Sequence, residues 1–254
     1  MTDNKTGLPL TAHLRELRKR LIISSIATAI GFAISYYYSD RLYALLIAPL
    51  VSALPPEASY LVFTGVAEPF FVYFKAGLLG GIVLASPVIL YEIWAFAAPG
   101  LYSKERVWFA AVVLASFILF AAGVFFAYFA VFPFAFKYLL SFSTVGLRPM
   151  ISMSGYFSLA TWMLLAFGAV FQLPMAMLVF SMTGLVNARQ LIRWWRYAVV
   201  VILIASSVLT PTPDVFNQML MAGPLIVLYV LGVVLAAIFG KKKFPVDEGG
   251  QGGG

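Results

Sequence analysis

The chain has 254 residues, of which 62% are hydrophobic and only 11% are charged, and its net charge is +7. A soluble globular domain carries about 25% charged residues, so this composition excludes an ordinary soluble fold and indicates a protein surrounded mainly by lipid. The absence of cysteine excludes disulfides, thiol catalysis and cysteine-ligated metals.

Six apolar stretches predict an all-α, polytopic membrane protein with six transmembrane helices in a single membrane domain, residues 1–240. The stretches lie near residues 21–39, 76–96, 107–133, 156–182, 197–209 and 215–239. The fifth would form a helix of only about 20 Å, against a hydrocarbon core of about 30 Å. Asn217, Gln218 and Pro224 interrupt the first half of the sixth. Both final helices are therefore predicted to be short.

The segments within and between these stretches carry further signals. Residues 40–69 form one long connection, and its amphipathic part, residues 42–54, is predicted to lie flat on the membrane. Pro174 predicts a kink in the fourth helix. Gly77 and Gly81 form a lone G-x-x-x-G pattern, a weak indication of close helix packing.

Basic residues are distributed unequally between the two sides of this arrangement. The N-terminal segment, the turns near residues 100 and 190, and the tail together hold 13 of the Lys and Arg residues, and the opposite connections hold 4. The positive-inside rule therefore predicts that both termini are cytoplasmic. Lipid headgroups account for the basic charge, so nucleic acid is not expected as a partner. Residues 241–254 are expected to form a flexible, basic and glycine-rich tail.

The sequence lacks the common catalytic patterns: H-E-x-x-H, G-x-S-x-G and a phosphate-binding glycine loop are all missing. We therefore predict no enzymatic activity, no catalytic residues, no metal site and no cofactor. The single histidine, His13, is predicted to lie at the surface. Carboxylates at the predicted membrane boundaries are more prominent, namely Glu16, Glu68, Glu92, Glu105 and Asp214.

Glu16 and Glu105 each have a structural and a functional interpretation. Glu16 precedes Arg20 by one helical turn, an order that favours a solvated ion pair. Glu105 lies between Lys104 and Arg106 at the start of the third stretch, where a helix N-terminus favours a carboxylate. Alternatively, both carboxylates face a cationic ligand, because a carboxylate pairs best with the planar guanidinium group. The spacing leaves both alternatives open.

The remaining polar positions also have structural interpretations. Asp214 opens the sixth helix and is typical of an N-cap. Glu68 is expected in a loop or an interface, and Glu92 is expected to reach the cytoplasmic surface. Gln172, inside the fourth stretch, is expected either to bond a neighbouring helix of the same chain or to contact a partner protein.

Five motifs, in order along the six predicted spans, make the chain resemble the TatC family of the twin-arginine protein translocase. The motifs are HLRELRKRL at 13–21, FTGVAEPFFVYFK at 63–75, YEIWAFAAPGLYSKERV at 91–107, FQLP at 171–174 and LTPTPDVFNQ at 209–218. The resemblance implies a receptor that binds the paired arginines of signal peptides and assembles with TatA and TatB. It would export folded proteins with the proton-motive force. It also implies a concave, cupped arrangement of helices in the cytoplasmic (inner) membrane.

Carried over by position, the resemblance implies four groups of functional residues. The signal-peptide site would comprise Glu16, Arg18, Phe96 and Glu105. A partner-helix contact would involve Gln172 and Pro174, a periplasmic loop motif Glu68 and Pro69, and a helix cap or functional acid Asp214. Many family members carry Glu at the position of Gln172. Glutamine retains hydrogen bonding there but brings no charge to a partner helix.

The main alternative is a small-solute transporter or channel. Such a protein would use mid-membrane polar groups and broken helices, often with an internal repeat. The two halves of this chain show no repeat, and its apolar stretches offer little polarity beyond Gln172. An intramembrane enzyme would lack suitable residues.

Overall fold

Helices make up almost all of the chain that the computed structural model describes, which is residues 10–54, 61–63, 65–97, 106–141, 150–210 and 215–240. They are α1 (Leu10–Tyr37), α2 (Ser39–Ala53), α3 (Glu68–Ala97), α4 (Arg106–Phe126), α5 (Phe132–Ser141), α6 (Met153–Val170), α7 (Leu173–Thr183), α8 (Ala188–Arg193), α9 (Trp195–Leu209) and α10 (Val215–Phe239). A π-helical turn, Ala127–Val131, joins α4 to α5. Extended pairing in these ranges is limited to a bridge between Val62 and Ser152. The all-α prediction is confirmed.

Five helical stretches within these ranges are long and apolar enough to cross a bilayer. They are Thr11–Tyr37, Glu68–Ala97, Val107–Ser141, Met153–Thr183 and Asn217–Phe239. The fifth predicted span is α9, which has 15 residues, a length of about 22 Å, and is short as predicted.

The last helix has its predicted bounds but is not short. α10 covers residues 215–239, and it is long and apolar enough to cross a bilayer. Its polar first turns remain helical because they are accommodated against α9: Gln218 Nε2 donates a hydrogen bond to the carbonyl oxygen of Leu203 at 3.0 Å. Asn217 is buried beside it in the sequence. Satisfied polar groups allow a helix to continue where an apolar pattern alone would end it.

The segment predicted to lie flat on the membrane is α2, and it packs against the bundle. Leu46 and Leu50 of α2 are buried in a cluster with Phe157 of α6. Pro49 has no N–H, so the carbonyl group four residues earlier loses its helical donor. That carbonyl belongs to Leu45, and the Tyr128 hydroxyl donates to it at 2.7 Å. The proline therefore creates an acceptor that fastens α2 to the π-helical turn.

Glycines set the approach of α1 to α3. A Cβ atom at Gly81 would lie 2.6 Å from the backbone nitrogen of Phe32, and one at Gly31 would lie 2.6 Å from the carbonyl oxygen of Gly81. At Gly77 the nearest atom would be in the Tyr36 ring, at 3.1 Å. Small residues thus let the two backbones come close, as the G-x-x-x-G pattern indicated. The antiparallel contact brings the start of α1 to the end of α3.

Candidate functional site

Three charged side chains meet where the first turns of α1 pass the last turns of α3. Arg20 donates from Nη2 and Nε to Glu16 Oε1 at 2.6 and 3.1 Å, and from Nη1 to Glu92 Oε2 at 2.9 Å. The side chains of Glu16, Arg20 and Glu92 are 35%, 21% and 9% exposed. Arg20 therefore bridges a carboxylate near the surface and a carboxylate enclosed by the helix pair. We call these three residues the charged cluster.

The charged cluster confirms one expectation and corrects another. The pair between Glu16 and Arg20, one helical turn apart, is present as the sequence indicated. Glu92 does not reach the surface as predicted but is buried. A buried carboxylate is stable only when it is paired and hydrogen-bonded, and Arg20 provides that partner. Two carboxylates against one guanidinium leave a formal charge of −1, and its most accessible carrier is Glu16.

An aromatic pair continues the charged cluster by one turn. Phe96 stacks on His13, with ring centroids 4.4 Å apart and an interplanar angle of 20°. Residues three or four apart share a helix face, so His13 lies beside Glu16 on α1 and Phe96 beside Glu92 on α3. His13 is exposed, as expected for a surface histidine, and one face of its ring is covered by Phe96. Phe96 therefore packs on α1 about one helical turn before Glu16.

Arg18 does not join the charged cluster. It is two residues from both Glu16 and Arg20, about 200° around the helix axis. Its side chain lines a shallow groove of about 640 Å³ on the surface of α1, together with Leu14 and Ile22. Within the residues that the structure describes, Arg18 therefore faces away from Phe96, towards an exposed apolar surface.

Two of the predicted site residues, Glu105 and Asp214, lie outside the residues that the structure describes. Their assigned roles stay predictions.

Glu68 links the start of α3 to the start of α6. Its Oε1 accepts hydrogen bonds from the backbone N–H of Ser154 at 2.6 Å and from the hydroxyl of Ser152 at 3.1 Å. Its Oε2 accepts one from the Gly65 N–H at 3.3 Å. Ser152 is the N-cap of α6, so the carboxylate lies where a helix terminus stabilises negative charge. Pro69 occupies the first turn of α3, where no backbone donor is required.

Gln172 lies in a turn that separates α6 from α7. The kink expected from Pro174 is a break in the helix, and Pro174 lies in the first turn of α7. Gln172 Nε2 donates to the carbonyl oxygen of Ser116 in α4 at 3.0 Å. Its Oε1 is buried and has no hydrogen-bond partner within the described ranges. The amide nitrogen thus makes the predicted bond within the chain, and the amide oxygen retains an unused acceptor.

Sequence reasoning missed the residues that complete these sites from other helices. Trp94 Nε1 donates to the Ser116 hydroxyl at 2.7 Å, next to the carbonyl group that holds Gln172. Glu92 was noted only as a boundary carboxylate. The usable signal was a lone carboxylate and a lone tryptophan near the end of a long apolar helix, because polar groups in lipid require partners.

The charged cluster has the chemistry of cation recognition. Two carboxylates that share one guanidinium provide directional, charge-assisted acceptors, which suit the planar fork of arginine better than the point charge of lysine. In the part of the chain that the structure describes, no group of three or more His, Asp or Glu residues is placed to hold a metal ion.

Comparison with known proteins identifies the family. Residues 12–224 match the family model described as Sec-independent protein translocase protein (TatC). A relative of that name from Desulforapulum autotrophicum is 44% identical over 248 residues, 98% of this chain and 91% of the relative. Another, from Carboxydothermus hydrogenoformans, is 40% identical over 237 residues, 93% of this chain and 96% of the relative.

A solved structure gives the same result for the fold. The crystal structure of a twin arginine translocase receptor, TatC, is 38% identical and superimposes with a TM-score of 0.75, covering 88% of this chain and 97% of that one. The chain therefore belongs to the TatC family of Sec-independent protein translocase proteins.

Proposed function

We propose that this chain is the receptor subunit that docks twin-arginine signal peptides, and that docking occurs at the cluster end of α1 and α3. The observation that supports this most strongly is that Glu16, the accessible carboxylate, already accepts two hydrogen bonds from a guanidinium group. The small-solute transporter is not favoured, because the family is one of protein translocases.

The proposed docking site comprises Glu16, Arg18, Phe96 and Glu105. Phe96 stacks on His13, which lies about one turn before Glu16 on α1, so a peptide bound there would meet both a carboxylate and an aromatic ring. Glu105 follows α3 in the sequence, nine residues after Phe96. We propose that it binds the second arginine of the peptide. Arg18 would contact the peptide from the apolar groove on the other face of α1.

We further propose that the partners in the membrane are TatA and TatB, and that assembly with them uses the proton-motive force. The partner-helix contact is assigned to Gln172 and Pro174, since Gln172 as a whole residue is partly exposed in the turn between α6 and α7. Glu68 and Pro69 would hold the periplasmic loop in place, and Asp214 would cap α10 or act as a functional acid.

The protein is a multi-pass membrane protein, and we propose that it lies in the inner membrane with both termini in the cytoplasm. The unequal distribution of basic residues, 13 against 4, supports this orientation. The cluster end of α1 and α3 would then face the cytoplasm, where signal peptides are presented.

Single cysteines test this orientation cleanly because the chain has none of its own. Leu185 is 73% exposed in the turn after α7, and Val66 is 99% exposed before α3. The cells are prepared with a permeabilised outer membrane and an intact inner membrane. An impermeant maleimide should then label Val66→Cys immediately. Leu185→Cys should react only after the membrane is permeabilised. The reverse pattern would refute the orientation.

Peptide affinity tests the docking site. Glu16→Gln and Glu105→Gln should each weaken binding of a paired-arginine peptide by about tenfold, because each removes a charge-assisted acceptor and keeps the side-chain shape. The preference for paired arginine over paired lysine should fall in parallel. Asp40→Asn, which removes an exposed carboxylate in the first turn of α2, beyond the far end of α1, is the matched control and should bind as wild type. If both glutamine variants remain folded and retain full preference for arginine, the docking assignment is wrong.

A further inference from the structure

We propose that Glu92 is a positioning residue of the docking site, which keeps Arg20 paired while Glu16 passes to a guanidinium of the incoming peptide. This inference rests on the proposed function and adds an exchange step to it. Before docking, Arg20 is paired with both Glu16 and Glu92. After docking, Arg20 is paired with Glu92 alone.

The geometry of Arg20 allows this exchange. Arg20 uses Nε and Nη2 for Glu16 and a different nitrogen, Nη1, for Glu92. A guanidinium has five N–H donors in a fixed fork, so release of one carboxylate leaves the bond to the other in place. Arg20 therefore need not leave the helix pair when Glu16 is taken.

The difference in burial gives the exchange a direction. The Glu16 side chain is 35% exposed and that of Glu92 is 9% exposed. A peptide approaching from solvent reaches Glu16 first, whereas Glu92 lies behind Arg20. Glu92 thus serves the internal arginine and Glu16 serves the ligand.

Charge gives the same assignment. With both carboxylates ionised, the charged cluster carries −1, and it becomes neutral when one arginine of a peptide docks. If Glu92 were neutral, Glu16 and Arg20 would already cancel. The peptide would then have to displace Arg20 from its sole remaining carboxylate and leave a partly buried guanidinium unpaired, which is unfavourable.

Two substitutions should therefore act with opposite signs. Glu92→Gln should weaken binding of a paired-arginine peptide by about tenfold, because Arg20 then competes for Glu16. Arg20→Gln should bind at least as tightly as wild type, because the competitor is gone. The double variant should regain the affinity that Glu92→Gln loses. If Arg20 and Glu92 only fastened α1 to α3, all three variants would weaken binding.

The experiment measures the dissociation constants of paired-arginine and paired-lysine peptides for the full-length protein in nanodiscs. Lys19→Gln is the matched control, because Lys19 is adjacent to Arg20 and exposed. Its substitution changes the net charge by the same amount as Arg20→Gln. The result of Arg20→Gln is compared with that baseline. Thermal unfolding without peptide reports whether each variant is folded. Glu92→Asp keeps the charge with shorter reach and should lie between wild type and Glu92→Gln.

Two results would overturn the inference. One is Glu92→Gln binding as wild type. The other is a folded double variant that binds more weakly than Glu92→Gln, which would assign Glu92 to helix packing alone. If Glu92→Gln does not fold, Glu92→Asp replaces it in the comparison. A full loss of affinity in folded Glu92→Asp that is not restored by adding Arg20→Gln would also assign Glu92 to helix packing alone. The proposed function fails separately, if wild type itself does not distinguish paired arginine from paired lysine.

Discussion

Gly81→Ala should destabilise the folded protein by about 1–3 kcal/mol, the usual cost of forcing atoms into a packed interface. The added Cβ would lie 2.6 Å from the nitrogen and 2.7 Å from the Cα of Phe32. Both are backbone atoms, so no side chain can rotate away and α1 must move off α3. The measurement is the midpoint of thermal unfolding in detergent.

Gly155→Ala is the matched control for Gly81→Ala. Gly155 also lies in a helix, but its nearest neighbour would be Ser152 Cβ at 3.6 Å, an ordinary contact. Alanine is the better helix former, so this variant should be unchanged or more stable by up to about 1 kcal/mol. An unfolding midpoint of Gly81→Ala at or above that of wild type would show that close glycine packing does not hold α1 on α3.

Gln172→Glu should destabilise the protein by about 1–3 kcal/mol, more than Gln172→Leu. Gln172 donates from Nε2 to the Ser116 carbonyl oxygen, and a carboxylate would place a second acceptor against that oxygen. Leucine loses the same bond, worth about 1 kcal/mol, but it also removes a buried Oε1 that has no partner in the described residues. Unfolding midpoints of the two variants give the order.

Because Gln172→Leu should stay folded, it also isolates the proposed partner contact. It should reduce co-purification with the TatA and TatB subunits more than it reduces affinity for a paired-arginine peptide. Equal loss of both, or loss of neither, would leave Gln172 with only its packing role inside the chain.

The features that could be predicted from the sequence are those that depend on nearby residues. Hydropathy identifies the long helices and the shortness of α9, since length and polarity alone decide whether a helix crosses lipid. The pair between Glu16 and Arg20 follows from a spacing of four on a helix. The glycine pattern at Gly77 and Gly81 indicated the contact that aligns α1 with α3.

The features that escaped prediction depend on contacts between distant segments. Arg20 and Glu92 are 72 residues apart, so nothing local shows that the carboxylate is buried rather than at the surface. The placement of α2 depends on Tyr128, 83 residues after Leu45. An amphipathic helix has the same pattern whether it faces a membrane surface or a protein core.

A measured distance would show whether the Glu16 carboxylate binds an arginine of the incoming peptide. A paired-arginine peptide with ¹⁵N in its guanidinium groups is bound to receptor with ¹³C in its glutamate carboxyl groups, and dipolar recoupling is measured by solid-state NMR. Only the peptide carries ¹⁵N, so Arg20 gives no signal.

The Glu16 carboxyl carbon, assigned by its absence in Glu16→Gln, should lie about 3–4 Å from a peptide guanidinium nitrogen, as charge-assisted hydrogen bonds require. No recoupling at the Glu16 carbon in a sample saturated with peptide would show that Glu16 does not bind an arginine of the peptide.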